Sequence, residues 1–520
     1  QLDSMRTSHP IEVDVKSPSE INQIFDAISY SKGASVIRML VHFLGDAAFV
    51  SGVRAYLTRH KFKNATTADL WTALSESSGK PVGAMMASWT RQVGYPVVRC
   101  ALHAHGNDKN GQKEGQKDGK SVLDVSQTRF LSSGDATEAE STSTWYVPLS
   151  VRTSAASPAV METLSERTSS VTVPSGEFVK LNDGQRGFYR VLYDDALLAL
   201  IGPAVASQSV SAADRVGIIS DAFALSYAGL TPVTRYLRLL PFYANEAHSV
   251  AWDEIVATLG ALRSAWYEEP ADVTEGLRKL AVKLFAPRAH SLGWEFAAGE
   301  AHGEALLRSL LVAAAGRAGD ERVVSEAKER FARFVAGDGK AVHPNLRGAM
   351  FTIAVTHGGK DAFEGVLQVY RASALPDEKN QALAALAAVQ EQDLVARALG
   401  LALSDDVRSQ DVPLLLAALA ANYKARNALW DFVRANWATL YAKFYSGSFL
   451  LGRIVSAALD SFASEARAAE AEAFFAQFKG EDIASIDRSI KQSVEKIRSN
   501  AKWVDRSREE TAAWLRENQQ

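Results

Sequence analysis

Apolar residues in the first hundred positions recur at the three-and-four spacing by which a helix buries one face. From Tyr30 onward Ile37, Leu40, Val41 and Leu44 keep that spacing, and Gly45-Asp46 supplies a stop and the next cap. A second helix is predicted from about Asp46 to Arg59. Thr66-Thr67 ahead of Asp69, Leu70, Trp71 and Leu74 opens a third, which ends near Gly79-Lys80-Pro81. Trp89 falls in a fourth, short helix that Gly94 and Pro96 terminate.

At Pro96 the period changes. Six short β-like runs follow, at Val97 to Leu102, Val122 to Phe130, Trp145 to Arg152, Ser170 to Val173, Phe178 to Leu181 and Gly187 to Tyr193. Short strands separated by turn residues predict a small β-sandwich. Two inserts interrupt it, Gly106 to Lys120 and Ser132 to Thr144. Both are rich in Gly, Ser, Asp, Glu and Lys, which leaves little apolar area to bury, so both are expected to be mobile surface loops.

Beyond Asp194 helix-length apolar patterns dominated by Ala and Leu continue to the end, broken at Gly229, Pro270, Gly293, Gly316, Gly358, Pro376 and Gly447. No strict repeat is present. Paired helices joined by short turns nonetheless predict an α-solenoid of the HEAT or armadillo kind, stacked into a curved array with a concave surface. The fold class is therefore mainly α with a small all-β domain, and the expected domains are 1–96, 97–194 and 195–520.

Composition narrows the function. A chain of 520 residues exceeds one core, and its 57 basic and 60 acidic residues leave a net charge of −3, which implies neither a polyanion nor a membrane surface as partner. No basic stripe with interleaved aromatics points to nucleic acid. A single cysteine, Cys100, cannot form an internal disulfide, and favours a reducing, cytoplasmic setting. No apolar run reaches the length of a membrane span, and the chain opens on Gln1 rather than Met, consistent with a processed or truncated start.

Candidate metal chemistry is sparse. None of the ten histidines begins an H-E-x-x-H, the pattern that sets two imidazoles one helical turn apart with a carboxylate to activate water. His103 and His105 are the closest pair, but on a strand they read as an exposed edge leading into a loop, with no carboxylate at ligand-like spacing.

The most informative stretch is Phe25-Asp26-Ala27-Ile28-Ser29-Tyr30-Ser31-Lys32-Gly33-Ala34-Ser35-Val36-Ile37-Arg38-Met39-Leu40. It closely resembles the segment carrying the transition-state tyrosine of zinc aminopeptidases of the aminopeptidase N and puromycin-sensitive type. Further landmarks follow in that family's order: Leu2-Asp3-Ser4-Met5-Arg6-Thr7-Ser8-His9-Pro10-Ile11, Trp89 to Pro96, Trp145-Tyr146-Val147-Pro148-Leu149, and Leu181 through Val191. In the helical region Asp221 to Leu225, Leu292-Gly293-Trp294 and Glu378-Lys379-Asn380 resemble the puromycin-sensitive branch.

This resemblance implies the end of a thermolysin-like catalytic domain, a β-sandwich and a C-terminal helical domain, with all zinc ligands and the substrate-anchoring Gly-Ala-Met-Glu-Asn loop lying upstream. It implies Zn2+ as the parent enzyme's cofactor, with no metal ligand in this chain. Peptides are the implied substrates, and the N-terminal portion of the same protein is the implied partner. Tyr30 would donate its phenol proton to the oxyanion that forms as a zinc-polarised carbonyl is attacked. Arg453 resembles a C-terminal-domain arginine that reaches the substrate cavity in some relatives; a surface arginine in a salt bridge is the plain alternative. Gly83-Ala84-Met85 begins like the anchoring loop, but Met86 stands where a carboxylate is needed, so the run reads as helix packing. Two functions therefore compete: the C-terminal portion of a zinc aminopeptidase, inactive alone, or a non-catalytic scaffold that holds peptides or proteins.

Overall fold

The computed structural model of the protein describes residues 2–15, 21, 24–102, 116–117, 120–444, 450–478 and 486–518. The chain forms two compact units, Gln1–Thr231 and Pro232–Gln520. His103, His105, most of the insert from Gly106 to Lys120 and the break at Gly447 lie outside the described residues.

In the first unit a π turn, Ile28–Lys32, runs directly into helix α1, Gly33–Leu44. Helices α2 (Asp46–His60), α3 (Thr67–Ser78) and α4 (Val82–Thr90) follow. α1 buries Val36, Met39, Leu40 and Leu44, so its core face is rotated slightly from the expected one, and Ile37 and Val41 are only half-buried. Thr66 and Asp69 start α3 with a reciprocal capping box in which the Thr66 amide donates to Asp69 Oδ2 at 2.7 Å. In α4 Met85 and Met86 are fully buried, which is the packing role expected of them.

The strands are β1 (Pro96–Leu102), β2 (Gln116–Lys117), β3 (Lys120–Arg129), β4 (Val147–Arg152), β5 (Val160–Leu164), β6 (Thr168–Pro174), β7 (Lys180–Leu181) and β8 (Arg190–Tyr193). One sheet has the order β2-β3-β1-β8 with β6 also on β3, and the other has the order β5-β4-β7. Every pairing is antiparallel except β1 with β8, where Val97 to Cys100 run parallel to Arg190 to Tyr193. β3 alternates in burial as a half-buried strand must, and its inward Gln127 bridges the sheets. The amide of that side chain donates to the carbonyls of Trp145 and Glu166, each at 2.9 Å, and its oxygen accepts from the Trp145 amide at 2.9 Å.

Two expectations are corrected. β5 is a strand where none was read, because its Val-Met-Glu-Thr-Leu run is half exposed and lacks a sustained apolar pattern. Ser132 to Thr144 is not a structureless loop. Its short 3-10 turn, Ala139–Ser141, is anchored from a distance by Arg6, whose guanidinium holds Asp135 at 2.9 Å and Glu140 at 2.8 Å. The Arg6 hydrogen bond pulls the Glu140 carboxyl down to about 2. Ordering here comes from charge rather than apolar burial.

After the strands, α5 (Asp195–Ala206) and α6 (Ala212–Tyr227) complete the first unit. Both start on side-chain caps, Asp194 accepting from the Leu197 amide and Ser211 from the Asp214 amide.

The second unit is helical from Val233–Leu237 to Asp487–Glu517, built on Ala- and Leu-rich faces. Most helices pack on their neighbours in sequence, as an array of pairs requires. The long last helix is different. It packs on Val233–Leu237 and Ala271–Leu292 as well as on Leu450–Leu459 and Glu465–Ala476, so the two ends of the array meet. Trp503 stands edge-on to Trp266 with ring centres 4.6 Å apart, Arg508 clasps Glu269 at 2.7 and 2.9 Å, and Glu510 accepts from the Val233 amide at 2.7 Å. No single described helix is long and apolar enough to cross a membrane.

Candidate functional site

Tyr30 is the centre of the π turn. The Gly33 amide reaches back five residues to the Ile28 carbonyl, the widened register that marks such turns, and the Tyr30 amide donates to the Asp26 carbonyl at 3.2 Å. The phenol is held outward: the residue is 58% exposed, which a packing tyrosine would not be, and among the described aromatic residues its ring meets only Phe25, edge-on at 4.9 Å. No described group hydrogen-bonds its hydroxyl. A donor is thus presented on a widened helical turn with its ring lightly supported.

The support lies beneath the turn and is polar. Asp26 acts as its cap: Oδ1 accepts from the amides of Ile28 at 2.8 Å and Ser29 at 3.2 Å, while Oδ2 lies 2.9 Å from His9 Nε2. His9 Nδ1 lies 2.8 Å from the Pro10 carbonyl, so both ring nitrogens face acceptors. Burial works against the Asp26 charge, but the hydrogen bonds from His9 and from the two amides outweigh it and hold the carboxyl below its usual range. Ser29 Oγ donates to the Ile24 carbonyl at 2.6 Å and closes the turn on its other side.

Lys32, at the end of the turn, is driven inward. Its side chain is 2% exposed, and its Nζ lies 2.9 Å from Asp3 Oδ2, a carboxylate only 6% exposed. The contact is an ion pair between two buried groups. The ammonium also donates to the carbonyls of Gly94 at 3.0 Å and Gln92 at 3.4 Å. Asp3 Oδ1 accepts from the Gly94 amide at 3.0 Å and from Ser8 Oγ at 2.8 Å. Gly94 has φ +86°, and a Cβ there would press on Arg129, so a glycine is required at this junction. Burial lowers the Lys32 pKa, the nearby Asp3 charge only partly opposing it. Three segments distant in sequence, around Asp3, Lys32 and Gly94, are thereby tied at one point below Tyr30.

Arg453, the other expected site residue, lies exposed on the helix Leu450–Leu459 of the second unit. Tyr30 and Arg453 therefore belong to different compact units. Among the described residues no three His, Cys, Asp or Glu side chains come together as a metal ligand set, so those residues do not fit a zinc centre. The partners that hold the turn, Asp3, His9, Asp26 and Lys32, were not singled out from sequence as site residues. A lysine amid the small and apolar residues that open a helix, Lys32 before Gly33-Ala34-Ser35-Val36, is the one signal that could have flagged a buried ion pair.

Residues 178–499 match the family of the ERAP1-like C-terminal domain, and residues 1–89 match the peptidase family M1 domain. The chain belongs to the M1 zinc aminopeptidase family. It is 35% identical to Aminopeptidase 2 of Candida albicans over 100% of this chain and 54% of that protein. It is 33% identical to the alanine/arginine aminopeptidase of Saccharomyces cerevisiae, covering 100% and 58% of the two chains. It is 32% identical to the puromycin-sensitive aminopeptidase of Caenorhabditis elegans, covering 98% and 53%. The chain spans about half the length of the curated relatives it matches.

Removing one partner of a buried ion pair strands the other charge at a cost of about 3–5 kcal/mol, whereas replacing both with apolar groups often costs far less. Lys32→Met is therefore expected to destabilise the first unit by about that amount, and Lys32→Met with Asp3→Leu to recover much of it. Chemical denaturation of the three proteins checks this, and a double variant no more stable than the single would contradict the assignment.

Asp26 gives a pH dependence. Its folded pKa lies below the ordinary carboxylate value, so its support is fully present above that ordinary value and is lost as pH falls through the folded one. Amide exchange at Ile28 and Ser29, corrected for intrinsic rates, should accelerate over that acid range. In Asp26→Asn the two amides should already exchange faster at neutral pH and show little further change.

Proposed function

We propose that this chain supplies the transition-state tyrosine and the C-terminal helical scaffold of a zinc aminopeptidase that removes residues from the N-termini of peptides. The observation that carries the reading is the geometry of Tyr30: an exposed phenol without a partner among the described residues, on a π turn fixed from below by Asp26 and by the Lys32–Asp3 pair. A neutral phenol is a hydrogen-bond donor across the physiological range, and a donor fixed before the reaction stabilises charge developing on a carbonyl oxygen without reorganising. Tyr30 would donate to that oxyanion. The names of the relatives support peptide N-termini as substrates, and the alanine/arginine aminopeptidase among them supports neutral or basic terminal residues.

The zinc ligands of such an enzyme would come from outside the described residues, with the N-terminal portion of the same protein as the partner. Arg453 would be a substrate-binding residue. A cytoplasmic setting suits the single, buried Cys100, whose thiol burial pushes up to about 12 and so leaves unreactive.

Two measurements test this reading. The chain expressed by itself should retain no stoichiometric zinc after dialysis and should not hydrolyse aminoacyl substrates. One tightly held zinc per chain together with turnover would refute the division of roles. In the whole enzyme, Tyr30→Phe keeps the ring and removes the donor. It should lower kcat about a hundred- to thousandfold, the equivalent of about 2.7–4 kcal/mol, with KM far less affected and stability nearly unchanged. A kcat within a few-fold of the parent would remove Tyr30 from the mechanism.

A further inference from the structure

Away from Tyr30, the first unit carries a surface cleft of about 400 Å³ in which three guanidiniums converge, those of Arg38, Arg152 and Arg186. The volume falls in the range of small-ligand sites. Arg38 comes from α1, Arg152 from the end of β4, and Arg186 from the segment between β7 and β8, so separate elements bring like charges to one place. Such convergence is unfavourable unless something compensates it.

The charges are only partly compensated from within. Asp183 also lines the cleft, but it is engaged by Arg152, which grips it through two bonds of 2.5 and 2.9 Å. Asp214, the next carboxylate, is buried and paired with Lys180 at 3.2 Å. Among the described residues Arg38 has only neutral acceptors, the carbonyls of Gln185 at 3.2 Å and Gly184 at 3.3 Å. Arg186 likewise faces an imidazole, with Nη1 2.8 Å from His42 Nδ1. Burial, together with the positive charge of Arg186, keeps that imidazole below its ordinary pKa, so it serves Arg186 as a neutral acceptor. With Arg152 and Asp183 cancelling, two positive charges remain among the side chains that line the cleft. Ser211 and Ala213 complete its wall at the start of the sixteen-residue helix α6, where first-turn amides lack intrahelical partners and the helix dipole is positive. The Ser211 hydroxyl is already spent on Asp214, at 2.6 Å, and is not counted as a donor.

We propose that this cleft is a binding site for a phosphate-bearing small molecule, its phosphate held by Arg38 and Arg186 in front of the α6 N-terminus. Planar guanidinium forks match the oxygen pairs of a phosphate, and a dianion balances the two residual charges where a single carboxylate leaves one over. The site is separate from the aminopeptidase chemistry proposed above and does not depend on it.

The test is calorimetric titration of the full chain with inorganic pyrophosphate and, separately, with inorganic phosphate and succinate, at low and at moderate salt. Pyrophosphate and phosphate should bind saturably, one per chain, and more weakly as salt rises. Arg186→Gln should weaken them about tenfold or more, in keeping with the loss of a charged hydrogen-bonding group. Arg186→Lys should be intermediate, since it keeps the charge and loses the fork, and both variants should unfold at the parental temperature. Arg38→Gln should act in the same direction. Absence of saturable binding, binding indifferent to Arg186 and Arg38, or succinate binding as tightly as phosphate would each overturn the proposal.

Discussion

The arrangement of the first unit around Tyr30 depends on one buried charge. An ammonium that has lost almost all its water is tolerable only beside a carboxylate and with hydrogen-bond acceptors around it, and Lys32 meets both conditions through Asp3 and the carbonyls of Gly94 and Gln92. Satisfying Lys32 fixes the end of the π turn. Satisfying Asp3 fixes the residues that lead to His9, and His9 in turn faces the carboxylate that caps the turn. The Gly94 junction, held by both members of the pair, sets where α4 ends and β1 begins. A hydrophobic replacement could match the stability of this arrangement, but it would not dictate the same register among three separate segments.

The same device recurs where the strands meet α6. Lys180 and Asp214 are 2% and 1% exposed and 3.2 Å apart, and Asp214 also takes the Gly184 amide and the Ser211 hydroxyl. Arg190 and Asp221 pair at 3.0 Å, with Asp221 accepting the Val191 amide as well. In each case the carboxylate lies on the helix and the cation on or beside a strand. Helix and sheet are therefore oriented by paired charges, and the aromatic contacts around Trp89, Tyr95 and Phe188 fill the volume those pairs define. The second unit also holds such a pair, Arg308 with Glu300 at 2.6 Å, each side chain 6% exposed. Its ends are joined by a tryptophan pair and by arginine contacts nearer the surface, over a core of Ala and Leu.

The helices were legible because their information is local. Periodicity, the Thr66 cap and the Gly45 and Gly79 stops can be read within a few residues. What stayed hidden depends on partners far along the chain. The segment from Ser132 to Thr144 looks unable to order itself because Arg6, which orders it, lies more than a hundred residues earlier. β5 carries its information in its pairing with β4 rather than in its own alternation. The closing of the helical array by its last helix has no local signature either. Tyr30 was found by resemblance, whereas the widened turn that presents it and the four polar residues beneath it required coordinates. The arginine cleft, assembled from positions 38, 152 and 186, was equally invisible to motif reading.

How Tyr30 is held bears on what it can do. A tyrosine retained for packing buries its ring and leaves its hydroxyl as an accessory, whereas here more than half of the residue is open and the ring makes a single aromatic contact among the described residues. Apolar burial therefore contributes little to fixing the phenol, and its position must come from the backbone that carries it. That backbone is a π turn, a conformation that persists only where its surroundings enforce it, and enforcement is visible in the cap by Asp26, the closure by Ser29 and the anchoring of Lys32. The oxyanion role proposed for Tyr30 calls for a donor that is both rigid and uncovered, two requirements that hydrophobic packing sets against each other. Placing the rigidity in charges below the turn and leaving the ring uncovered above it meets both.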